Sequence, residues 1–164
     1  MQTEEFDDLY AAAFPRLVRQ LTLMTGDADA AQDAVQEAFV RAWSRRRTLR
    51  AAEQPEAWIR TTAWRLAVSR FRRLRRGWEL TLRHQLPATV AEPSPDRVLV
   101  EQALAALPPC QRRVLVLHYL CDLSIEQISA ETGTPAGTVK SWLARGRRSL
   151  APLLDTEEKQ DTHA

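Results

Sequence analysis

The chain has 164 residues, of which 45% are hydrophobic, 27% are charged and only five are glycine, a composition that excludes a disordered protein and fits one helix-rich domain or two small ones. The net charge of +2 averages strongly opposed segments. Residues 1–43 hold eight acids against three arginines, a net of −5, and residues 44–83 hold twelve arginines against three acids, a net of +9, so one surface suits a protein partner and another a polyanion.

Periodicity near 3.6 residues recurs along the chain and period-2 alternation does not, so the fold class expected is all-α. The first predicted helix runs from about Thr3 to Met24, with an adjustment at Pro15, and stops at Thr25-Gly26-Asp27. It opens on Glu4, Glu5, Asp7 and Asp8, the wrong charge for a targeting segment, and neither end carries an apolar run of spanning length. A cytoplasmic location with no membrane association is expected. The second helix, from about Ala28 to Arg46, turns Ala31, Val35, Ala38, Phe39 and Ala42 inward and Asp29, Asp33, Gln36, Glu37 and Val40 outward. Such an acidic face repels phosphate and serves either solubility or a basic protein surface.

A loop carrying Arg45, Arg46, Arg47 and Arg50 leads to the third helix, which Pro55 can start and which runs to about Gly77. Ile59, Ala63, Leu66, Ala67 and Leu74 form its buried face. Along the other face Trp58, Thr62, Arg65, Ser69, Arg72 and Arg76 follow 4, 3, 4, 3, 4 spacing. Aromatic rings stack on unpaired bases and guanidinium groups hold phosphates, which is what a binder of single-stranded or melted DNA requires. Taken singly, Trp58 and Trp64 read as core residues. The stripe reads otherwise, because a merely solvated face would mix in acids and this helix has only Glu56.

From Trp78 to Pro95 the pattern decays: Pro87, Pro93, Ser94 and Pro95 break it, and Leu80, Leu82 and Leu86 make no sustained stripe. This stretch reads as a flexible linker between two small helical domains, 1–77 and 96–154, with a polar, disordered tail at 155–164. No internal repeat is evident. In the second domain helices are predicted over Asp96–Leu107, Pro109 to about Cys121, Ser124–Thr132 and Pro135 to about Leu150. Cys110 and Cys121 fall on one predicted helix, roughly 16 Å of rise apart, too far for a disulfide. They read as reduced core residues. With these and the scattered His84, His118 and His163, no spacing resembles a metal site, and no cofactor is expected.

The segment LSIEQISAETGTPAGTVKSWLARGRRSL, residues 123–150, carries mutually consistent local signals. Ser124 with Gln127 makes a capping box, Ile125 and Ile128 supply an apolar face, and Gly133 can take the left-handed turn. Thr134 is then expected to cap a second helix with Pro135 at its first position. Val139, Leu143, Gly146 and Leu150 form the packing seam, leaving Gly137, Thr138, Lys140, Ser141, Ala144, Arg145 and Arg148 for the recognition surface. Two short helices of this kind, the second small and basic on its outer face, form a helix-turn-helix whose second helix enters the major groove of duplex DNA.

Three segments then resemble one family, the extracytoplasmic-function sigma factors of bacterial RNA polymerase, in family order and over nearly the whole chain, Phe6 to Leu154. DAVQEAFVRAW is similar to that family's core-polymerase-binding helix, with Asp33, Gln36 and Glu37 on the motif. AWIRTTAWRLAVSRFRR resembles the segment that recognises and helps melt the minus-10 promoter element, and GTVKSWLARGR the minus-35-reading recognition helix. Where the family often has Asn and Asp on the melting helix, this chain has Arg65 and Ser69, and Trp142 stands where Arg is common. The resemblance implies RNA polymerase core and promoter DNA, duplex and melted, as partners, with an anti-sigma protein as a plausible further one. It implies a transcription initiation factor rather than an enzyme. No Walker-type loop is present, and carboxylate pairs such as Asp29 and Asp33 lack a nucleophile or metal set beside them. The alternative reading is a stand-alone helix-turn-helix regulator, which would not need the first domain.

Overall fold

Capping chemistry sets where the helices begin and end in the computed structural model, which describes residues 1–50, 54–77 and 95–158. Among these residues the elements are α1 (Thr3–Thr25), α2 (Ala28–Ser44), α3 (Arg46–Arg50), α4 (Pro55–Gly77), α5 (Pro95–Ala105), α6 (Pro109–Tyr119), α7 (Ile125–Thr132) and α8 (Ala136–Glu158). The all-α expectation holds, in two units, α1–α4 and α5–α8. The expected linker lies, but for Pro95 at the start of α5, outside the described residues. No described helix is long and apolar enough to cross a membrane.

In the first unit α1 passes unbroken through Pro15 and ends at Gly26, whose φ of 76° only glycine adopts without strain and whose amide donates to the Thr22 carbonyl at 2.7 Å. Asp27 then caps α2, its Oδ1 accepting the Ala30 amide at 2.9 Å. Phe6, Tyr10 and Phe14 of α1 meet Phe39 and Trp43 of α2 in an aromatic cluster with ring centroids 4.8–6.1 Å apart. Leu17, Leu21 and Met24 of α1, Val35 of α2 and Ile59 of α4 complete the core. The second helix stops at Ser44, two residues short of its predicted end, because the chain turns there into α3. Burial of Leu49 and the seat of the Arg46 guanidinium over the Trp43 ring, 4.3 Å from its centroid, hold that short helix down. On α4, Ile59, Ala63 and Ala67 are buried as expected, Leu66 is half-buried, and Leu74 is 44% exposed. The core facing α4 ends before its last two turns.

In the second unit the α7–α8 pair follows its sequence signals closely. Ser124 Oγ accepts the Gln127 amide at 3.1 Å while Gln127 Oε1 accepts the Ser124 amide at 2.8 Å, and Gly133 turns with φ of 69°. The Ser129 hydroxyl donates to the Thr134 carbonyl at 2.6 Å, fixing the turn. The cap of α8 is one residue later than expected: the Pro135 carbonyl accepts from the Thr138 and Val139 amides, each at 3.0 Å, so Pro135 rather than Thr134 stands at the cap. Helix α8 continues through Pro152 to Glu158, four residues into the expected tail; residues 159–164 lie outside those described. Ile128, Val139 and Leu143 pack with Val114, Val116 and Leu117 of α6, all nearly inaccessible to solvent. Arg112 donates to the Ala105 and Leu107 carbonyls at 3.0 and 3.1 Å, satisfying acceptors at the end of α5. Burial lowers the pKa of its guanidinium, which nonetheless stays charged at any physiological pH. The cysteines are not core residues: Cys110 is exposed in the first turn of α6 and Cys121 is half-buried beyond its end.

A Cβ placed on Gly146 would lie 2.6 Å from Leu115 Cδ1, so α6 and α8 approach through the absence of a side chain. Gly146→Ala gains about 1 kcal/mol of helix propensity but overpacks the seam by about 1–3 kcal/mol. Net destabilisation in urea unfolding is expected, with part of it recovered when Leu115→Val is added. Additive effects of the two substitutions would contradict this packing.

Candidate nucleic-acid interface

Helices α2 and α4 pack with the C-terminal end of one beside the N-terminal half of the other, leaving an open groove of about 670 Å³ between them. Its lining comprises Trp58, Thr62, Arg65, Leu66, Ser69 and Arg73 of α4 with Arg41 and Ser44 of α2 and Arg45 just beyond it. Trp58 is half-buried and lines the groove. An aromatic ring with guanidinium and hydroxyl groups around it can stack a base and hold its phosphates. Of the six residues expected on this face, Trp58, Thr62, Arg65 and Ser69 come together in the groove. Arg72 and Arg76 are exposed on the same helix but outside the lining of this groove.

Arg73 and Arg41 were not part of the expected stripe. Arg73 follows Ser69 by four residues, a spacing as good as the three that selects Arg72, so helical periodicity alone admits both. Arg41 sits on the acidic helix, and only the pairing of α2 with α4 brings it to the groove.

The acidic positions expected to meet a protein partner, Asp33, Gln36 and Glu37, are all exposed on α2, with Val40 beside them at 57% exposure. Two are engaged within the chain. Asp33 Oδ2 accepts from Arg70 Nη1 at 2.6 Å, and Glu37 Oε1 accepts from Arg41 Nε at 2.9 Å. All four side chains are about half-exposed, so each pair contributes at most about 1 kcal/mol to stability and leaves the acids open to another cation.

On α8, Gly137, Lys140, Ser141, Arg145 and Arg148 are exposed, and Thr138 and Ala144 are half-buried at the edges of the same face. The Ser141 hydroxyl donates to the Gly137 carbonyl at 3.1 Å, which leaves Lys140, Arg145 and Arg148 as the long side chains of this face. Gly137 has no neighbouring atom near a would-be Cβ, so packing does not require a glycine there. Trp142 is half-buried.

Two family models match the chain, one described as Sigma-70 region 2 over residues 9–77 and one as Sigma-70, region 4 over residues 97–150. The chain is similar to the ECF RNA polymerase sigma factor EcfG of Rhodopseudomonas palustris, 31% identical over 97% of this chain and 90% of that protein. It is also similar to the RNA polymerase sigma-E factor of Streptomyces coelicolor, 30% identical over 98% of this chain and 90% of the relative. Among solved structures, the sigma factor RpoE in complex with the anti-sigma factor NepR, from Bartonella quintana, matches with a TM-score of 0.76 at 24% identity, covering 93% of this chain and 98% of that one. That likeness establishes the fold.

Lys140→Ala and Arg145→Ala are each expected to weaken duplex DNA binding without unfolding the chain, since both are exposed. Loss of a bidentate base contact costs about 1–3 kcal/mol of discrimination, whereas loss of a phosphate contact flattens the log–log salt dependence by about 0.9. Titrations at several salt concentrations separate the two, and unchanged affinity and slope in both variants would remove α8 from the interface.

Proposed function

The chain belongs to the extracytoplasmic-function sigma factors of bacterial RNA polymerase, and from that premise we propose how its residues divide the work of starting transcription. As a sigma factor it binds the polymerase core and directs promoter recognition and opening; RNA synthesis itself belongs to the polymerase. Residues 1–77 dock on the core through the face of Asp33, Gln36 and Glu37 and hold melted minus-10 DNA. The contacts there are Trp58, Thr62, Arg65 and Ser69, with Arg72 and Arg76 supplying field. Residues 96–154 read the minus-35 duplex through Gly137, Thr138, Lys140, Ser141, Ala144, Arg145 and Arg148. The place of action is the cytoplasm, where polymerase and chromosome meet. An anti-sigma protein is a further partner, in the way that RpoE of Bartonella quintana forms a complex with NepR.

The observation that carries this division is the groove in which Trp58 stands among arginines drawn from two helices. A stand-alone regulator binding only duplex would not require a base-stacking surface. Strand opening draws on binding free energy: unstacking costs a few kcal/mol per step, and each stacked base returns about 1–3 kcal/mol.

Replacing Asp33 and Glu37 together with Lys is expected to weaken co-purification with core polymerase severalfold while leaving the helical signal intact; recovery equal to the parent's would contradict the docking face. Joint Trp58→Ala and Arg65→Ala substitution is expected to spare core association and upstream duplex contact but to reduce promoter opening about tenfold, the equivalent of one lost stacking contact of roughly 1.4 kcal/mol. Permanganate reactivity of unpaired thymines measures opening. A pre-melted bubble template should rescue the variant, and equal opening on fully paired DNA would return Trp58 to a packing role.

A further inference from the structure

The two ion pairs across the acidic face join surfaces that the proposed function treats separately. Asp33, Glu37 and Arg41 stand four residues apart in one row along α2. That row borders α4, because Asp33 reaches Arg70 while Arg41 lines the groove beside Trp58. The carboxylates offered to the polymerase are therefore the same groups that hold two arginines at the margin of the DNA groove. Arg70 lies one residue from Ser69 and three from Arg73, both of which line that groove.

We propose that Arg41 and Arg70 belong to the DNA-contacting set and are held by Glu37 and Asp33 in the free chain, to be passed to DNA phosphates when the polymerase takes the acids. This rests on the docking role of Asp33 and Glu37. A carboxylate beside the groove acts against DNA twice: it occupies an arginine, and its own charge repels the backbone. A basic surface of the polymerase removes both effects together. With the four side chains half-exposed, exchange of partners requires no opening of the core. The gain is bounded by what exposed pairs are worth, up to about fivefold in affinity for each pair. Core docking and capture of melted DNA thus become positively coupled, and by linkage the coupling runs equally in both directions.

The test uses the full chain without polymerase and a short fluorescein-labelled single-stranded DNA of mixed sequence, read by anisotropy at low salt. Asp33→Asn is expected to tighten binding about two- to fivefold, and the same substitution in an Arg70→Ala background to give a smaller gain, no larger than the relief of charge repulsion alone. Glu37→Gln with Arg41→Ala should repeat the pattern. Asp29→Asn, which removes an acid from the first turn of the same helix, reports the general effect of net charge. A gain from Asp33→Asn that is undiminished without Arg70, or that Asp29→Asn equals, would overturn the exchange and leave only bulk electrostatics. Co-purification of the Asp33→Asn chain with core is measured in parallel. Undiminished recovery there, with the DNA gain intact, would overturn release by the polymerase and with it the docking role of Asp33, while the restraint on Arg70 in the free chain would stand.

Discussion

The arrangement of the first unit depends on how α2 and α4 are held side by side. Helix α2 buries four alanines, Ala31, Ala34, Ala38 and Ala42, and α4 buries Ala63 and Ala67 beside Ile59. Small side chains at a helix interface let the backbones come close, and close backbones put the flanking charged residues of the two helices within reach of each other. The 2.6 Å pair between Asp33 and Arg70 and the groove shared by Arg41 and Trp58 both lie along the border of these two helices. Larger residues in the seam would widen the groove and separate the acidic edge from the basic one.

Charge is consequently distributed along edges rather than over whole faces. The excess of arginine in the middle of the chain gathers along α4, where Arg65, Arg70, Arg72, Arg73, Arg75 and Arg76 are all exposed, while α2 carries the acids. A polyanion meets a cationic strip bordered on one side by carboxylates. In the proposed role the strip draws DNA in from a distance and the border limits where the backbone can lie. In the second unit Lys140, Arg145 and Arg148 on α8 face solvent directly, as suits a helix that enters a duplex groove.

What the sequence disclosed and what it did not divide along a physical line. The capping box of Ser124 and Gln127, the stop of α1 at Gly26, the left-handed turn at Gly133 and the span of α4 are decided by residues a few positions apart, and all could be read directly. The stripe of Trp58, Thr62, Arg65 and Ser69 was legible for the same reason, since one helix carries it. Arg41 in the groove and Arg70 on Asp33 depend on which helices are neighbours, and periodicity carries no such information. Leu74 looked buried because its spacing continues the Ile59 and Ala63 row, but the packed partner runs out before the helix does. The cysteines misled for a related reason: free cysteine is more often buried than not, yet Cys110 falls in the exposed first turn of α6.

A groove built in this way also limits how the chain can open DNA. One stacking surface returns about 1–3 kcal/mol, while separating and unstacking successive steps costs a few kcal/mol each. Trp58 alone therefore cannot melt a promoter. Phosphate contacts must supply much of the rest, and those are the contacts most weakened by salt and by neighbouring carboxylates. If the proposed exchange holds, arginines restrained by acids bind DNA poorly in the free chain and capture of single strands elsewhere in the cell is limited. The same arginines become useful when a partner neutralises the acids. On that proposal a weak intrinsic hold on DNA is not a defect of the groove but the condition that makes opening depend on the polymerase being present.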